Sequence, residues 1–173
     1  MSGPAAAILL PAPLDAAQIA AVRHSILGVA EVVDGENFWI QGQPFTAAFA
    51  PDYPGELEDI AGDGLPLVLG WVPRGTLTVI ARCGGSTNHR LLGGLCLRLC
   101  QLLGGVVDFG GTLTVGPVLD GATRSAPLRV PLLGGALYAT TYAIEDHRYG
   151  TAHYGDARFL EGWLEHPRFR MVT

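Results

Sequence analysis

The stretch Thr76-Leu-Thr-Val-Ile-Ala-Arg82, followed by Gly84-Gly85-Ser86 and closing at Leu103-Gly-Gly-Val-Val-Asp-Phe109, decides the fold of this chain. Residues 76–82 alternate threonine with apolar side chains, the period-two pattern of a strand with one buried face. Gly84-Gly85 turns the chain, and Ser86 is placed to cap a helix running to about Leu103. On that helix Leu92, Leu95, Cys96, Leu99, Leu102 and Leu103 form one stripe, with Arg90, Gly94, Arg98 and Gln101 opposite. Gly104-Gly105 ends it, and Val106–Phe109 reads as the next strand before Gly110-Gly111. Strand, helix and strand at this length predict a right-handed crossover.

Working outward, Ala5–Leu10 reads as an opening strand closed by Pro11 and Pro13. Asp15 supplies an N-cap, and Ile19, Val22, Ile26 and Leu27 recur at helical spacing up to Gly28. Ala30–Val33 and Asn37–Gln41 flank Asp34-Gly35, a strong hairpin signal, and Phe45–Phe49 extends the meander until Pro51. Residues 52–64 are acidic and rich in Gly and Pro, a loop with at most one short helix. Leu65–Trp71 is apolar but carries Pro66, so helix and strand both stay open there. Leu137–Ile144 is a further strand. Asp156 caps a last helix with Phe159, Leu160, Trp163 and Leu164 on its apolar face, stopped at His166-Pro167. No repeat or linker divides residues 1–173. The expectation is one α+β domain with a mixed sheet: an antiparallel hairpin and meander, one strand-helix-strand crossover and a C-terminal helix.

Composition narrows the chemistry. Half the chain is apolar and 16% is charged, well below the roughly 25% usual for soluble domains, so much of the surface is neutral. All 11 basic residues are arginines, which removes Schiff-base and phosphate-loop lysine chemistry. Three cysteines, two of them spaced i to i+4 on one helix, suit free thiols in a reducing compartment better than disulfides. The apolar run Ala5–Leu10 is too short for a signal peptide or a membrane span. A cytoplasmic protein is expected, with neither membrane nor nucleic acid as partner.

Three constellations carry candidate chemistry. Gly84-Gly85-Ser86, with Asp108 some twenty residues on, echoes a dinucleotide site, but the triple-glycine spacing is absent. Cys83, Cys96 and Cys100 with His89 lack the paired sets of a zinc site. No cofactor or metal is expected. Asp146-His147-Arg148-Tyr149 with His153-Tyr154 is the densest polar cluster, read as a loop before the final helix and suited to general acid–base work in a small hydrolase or transferase. No nucleophile elbow or zincin motif accompanies it.

Charge is unevenly spread. From His24 to Val72 there is no arginine, against eight acids. Phe38, Trp39, Phe45, Phe49 and Tyr53 fall in the same half, so the residues not needed for the core join the acids in a candidate binding patch. The patch comprises Glu36, Trp39, Asp52, Tyr53, Glu56, Glu58 and Asp59.

Two segments carry a family likeness. His89-Arg-Leu-Leu-Gly-Gly-Leu95 with Leu103-Gly-Gly-Val-Val-Asp-Phe-Gly-Gly111, and Phe159-Leu-Glu-Gly-Trp-Leu-Glu-His-Pro-Arg-Phe-Arg-Met171, together cover about a fifth of the chain. They resemble the central signature and C-terminus of an uncharacterised family of small actinobacterial proteins, and that resemblance carries no catalytic residue over. The size and the helix–Gly-Gly–strand core also resemble bacterial immunity proteins, which neutralise polymorphic toxins. The resemblance implies a non-enzymatic protein-binding module that occludes the active site of a basic toxin domain. The alternatives are the small enzyme built on Asp146–Tyr154 and a homo-oligomeric accessory protein.

Overall fold

The computed structural model describes residues 3–50, 64–113, 133–144 and 148–171. The described residues form an eight-stranded sheet. In chain order its strands are β1 (Ala5–Leu10), β2 (Val32–Asp34), β3 (Asn37–Ile40), β4 (Gln43–Ala50), β5 (Gly75–Ala81), β6 (Val106–Asp108), β7 (Leu137–Ile144) and β8 (Arg148–Gly155). The helices are α1 (Ala16–Leu27), α2 (Leu65–Leu69), α3 (Ser86–Leu103) and α4 (Ala157–Leu164). Strand order across the sheet is β2-β3-β4-β5-β1-β6-β8-β7. The α+β class expected from sequence is what forms.

The crossover β5–α3–β6 is a split one. β1 lies between its two strands and pairs antiparallel with both, Ile8 facing Leu77 on one side and Val107 on the other. β5 and β6 therefore run parallel to each other at one strand's remove, while every adjacent pair is antiparallel. The central place of β1 follows from its composition. Ala6, Ile8 and Leu10 are buried on one face and Leu9 on the other, so both faces of the strand need cover.

The main core lies between the sheet and α1, α3 and α4. Leu77, Val79 and Ala81 of β5 meet Leu92, Leu95, Cys96 and Leu99 of α3 there, with Trp163 fully buried beside them. A smaller cluster on the opposite face joins Leu9, Leu65, Val106, Ala152 and Tyr154. The undecided stretch at 65–71 is thus a short helix, α2, with Pro66 in its first turn, where a missing N–H costs nothing.

Local chemistry explains the ends of α3. Gly104 adopts φ 71° and donates its N–H to the Cys100 carbonyl at 2.9 Å, the left-handed stop that glycine favours. Gly105 answers a different need, because a Cβ there would lie 2.4 Å from the Leu9 carbonyl oxygen. At the other end the cap is Gly85, without a side-chain hydrogen bond, and Ser86 is the first helical residue. This corrects the expected serine cap. Leu102 also leaves the predicted stripe and is 47% exposed. α1 behaves as its sequence implies: Asp15 accepts the Gln18 amide at 2.7 Å while Gln18 accepts that of Asp15 at 3.0 Å, a complete capping box.

The largest correction concerns residues 148–155, whose sequence predicts a polar loop. They form β8, paired with β7 along its whole length and with β6 at its end. The segment lacks an aliphatic alternation, and cross-strand partners supply what it lacks. The Tyr142 ring, for example, lies over its register partner Gly150, where a Cβ would be 2.5 Å from the ring.

Candidate functional site

β2 and β3 form the hairpin that Asp34-Gly35 announced. Asp34 pairs with Asn37 across a two-residue loop in which Gly35 takes φ 61°. β2 is one edge of the sheet. Its two valines must face opposite ways, Val33 beside Phe38 on the helix side and Val32 beside Trp39 on the other. Both remain open, Val32 at 55% and Val33 at 40% exposure.

Between this edge and α1 lies a cavity of about 320 Å³. Its apolar wall comprises Ile26 and Leu27 of α1 with Val33, Phe38, Ala47 and Phe49 of the sheet. Phe38 stacks on Phe45 with centroids 5.7 Å apart, behind that wall. Arg23 and Glu36 also border the cavity, the Arg23 guanidinium standing 5.6 Å above the Phe49 ring. Leu27, 59% exposed, extends the apolar surface outward. A concave apolar pocket with one residue of each charge beside it suits an inserted side chain.

Of the patch residues expected from sequence, Glu36 borders this cavity. Trp39 is half-buried on the opposite face of the sheet, so strand alternation separates the two. Asp52, Tyr53, Glu56, Glu58 and Asp59 lie outside the described residues. Sequence reading missed Arg23, Leu27 and Val33. The signals were present in the two adjacent valines of a short strand and in Leu27 at the very end of its helix.

The polar cluster divides as well. Asp146 and His147 lie outside the described residues. His153 and Tyr154 are adjacent in β8 and so face opposite ways. The His153 Nδ1 accepts the Leu113 amide at 2.9 Å, and its main chain bonds Phe109 and Gly111, so this residue knits the segment after β6 to β8. Burial pushes the imidazole below its ordinary range. Asp108 pairs in register with Tyr154, hence on the face away from His153. Its carboxylate accepts the Gly110 amide at 2.8 Å, and burial pushes its pKa up. His153 and Asp108 therefore form no acid–base dyad with each other.

Cys96 and Cys100 are buried free thiols, and Cys83 is exposed. Burial raises both buried pKa values, that of Cys100 to about 11, and Cys100 donates to the Gly105 carbonyl. Among the described residues no group of three or more His, Cys, Asp or Glu is placed to hold a metal ion. No helix among them is long and apolar enough to cross a membrane.

An antiparallel sheet with three helices on one face and an apolar pocket at its edge defines an α+β protein built around an open strand edge. The chain belongs to DUF6368, a family of unknown function whose model matches residues 2–173. No curated protein and no solved structure matches it.

Proposed function

We propose that this chain is a protein-binding module of the immunity or antitoxin kind, which covers the cationic active site of a partner enzyme. The observation that carries this reading is the 320 Å³ apolar cavity at the β2 edge, open beside Leu27 and Val33. The acids of the same hairpin, Asp34 and Glu36, stand in a half of the chain without arginine between His24 and Val72. An aliphatic or aromatic side chain of the partner fills the cavity, and basic residues around it meet the acids. Burying one such anchor contributes about 1.5–3 kcal/mol, while charge complementarity mainly accelerates association. β2 spans three residues, too few for an extended main-chain ladder, so side chains carry the contact.

The test uses tagged full-length protein to capture partners from its host, followed by titration of the purified partner. Support requires a basic partner enzyme whose activity the chain inhibits, with Leu27→Asp and Val33→Asp each weakening binding at least tenfold. Inhibition left intact by both substitutions overturns the edge-pocket reading.

A further inference from the structure

A second cavity, of about 400 Å³, lies between the exposed side of α3, the α1–β2 connection and the β3–β4 turn. It shares no lining residue with the pocket at the sheet edge. Its apolar wall is Val29, Ile40, Leu91 and Leu95; its charged groups are Glu31, Arg90 and Arg98. Arg90 is tethered, donating to the Leu164 carbonyl at 3.1 Å and standing 5.8 Å above the Phe169 ring. Among the described residues no hydrogen bond or ion pair engages Arg98, although Glu31 lines the same cavity.

Two backbone features mark this cavity. Gly94, one turn from each arginine, lines it. A glycine in a helix interior is unfavourable relative to alanine. Its neighbour Gly93 is required by packing, since a Cβ there would sit 2.4 Å from the Phe169 ring. At Gly94 a Cβ would meet nothing within 4 Å, so the fold itself does not need glycine there. Gln41, at the rim, is the one non-glycine residue with positive φ among the described residues, at 52°. Its turn is pinned by the Gly42 amide, which donates to Glu31 Oε2 at 3.0 Å.

We infer that the cavity beside Gly94 binds a small amphipathic monoanion, its carboxylate on Arg98 and its apolar body against Val29, Ile40, Leu91 and Leu95. The absent side chain at Gly94 lets the ligand approach the helix backbone. The volume falls within the range of small-molecule sites. Glu31, held by Gly42, disfavours a second negative charge and so selects against polyanions.

Amide NMR titration of the full chain tests this with octanoate, 1-octanol and inorganic phosphate as probes. Octanoate is expected to move the Gly94, Leu95 and Gln41 amides and to bind at least tenfold more tightly than octanol, with phosphate leaving them unmoved. Arg98→Gln is expected to weaken octanoate at least tenfold. Gly94→Leu, a helix former placed into open space, keeps or raises Tm yet abolishes binding. Equal binding of octanoate and octanol, wild-type affinity in Arg98→Gln, unmoved cavity amides, or phosphate binding as tightly as octanoate would each overturn the assignment. Failure of the partner-binding reading leaves these outcomes unchanged, because the two cavities share no residue.

Discussion

The Nδ1 atom of His153 accepts the main-chain amide of Leu113 at 2.9 Å, so the imidazole fastens the segment after β6 to β8. Burial lowers the pKa of His153, and also that of His89, below the ordinary value of 6.5. For a base with a depressed folded pKa, the stabilisation is complete above the unfolded value. It is lost as pH falls from about 6.5 through the folded pKa, because the unfolded chain takes up protons first. Urea denaturation is therefore expected to show lower stability at pH 5.5 than at pH 7.5. His153→Asn, which keeps an acceptor but does not titrate, should flatten part of that slope. Asp108, raised by burial, leans the other way, and an Asp108→Asn background separates the two.

Adjacent glycines on α3 are expected to respond oppositely to alanine. Gly93→Ala drives a methyl into Phe169 and Leu164, with contacts of 2.4 and 2.9 Å, at a cost of about 1–3 kcal/mol. Gly94→Ala meets open space and gains helix propensity, stabilising by about 1 kcal/mol. Midpoints of urea unfolding for the two variants decide the matter, and equal shifts would contradict the packing described.

Thiol reactivity should split one to two. Exposed Cys83 is expected to react with a disulfide reagent in the native protein, whereas Cys96 and Cys100 react only after unfolding. Burial raises the pKa of both, so little thiolate is present at neutral pH. Counting the thiols released in buffer and in denaturant checks this.

At the sheet edge, Leu27→Asp is expected to cost the partner complex about 2 kcal/mol, a roughly thirtyfold rise in Kd, as removal of a central apolar anchor does. Glu36→Arg should act chiefly on the association rate and lose its effect as salt rises. Surface plasmon resonance at two ionic strengths distinguishes the two signatures.

The capping box at Asp15 offers a control for local reasoning. Asp15→Ala removes the side-chain acceptor for the Gln18 amide and should cost about 1 kcal/mol without touching either cavity.

Asp15, Asp156, the Asp34-Gly35 turn, the alternation of residues 76–82 and the helix-ending Gly104 were all readable from sequence, because each acts over a few neighbouring residues. The α+β class followed from them. What tertiary structure alone decided was longer-ranged. β8 exists because β7 and β6 pair with it, not because residues 148–155 favour a strand. β1, first in the chain, lies between β5 and β6 because it alone joins them through ladders on both sides. Glu36 in the hairpin turn and Trp39 in β3, three apart in sequence, end on different surfaces because pairing in the hairpin fixes which way Trp39 faces. Neither cavity could be read from sequence, since each is the space left between elements whose positions are set by burying Leu92, Leu99 and Trp163 elsewhere. Local propensity chooses the elements; the burial of their apolar faces against distant partners chooses which side chains remain at the surface to meet another molecule.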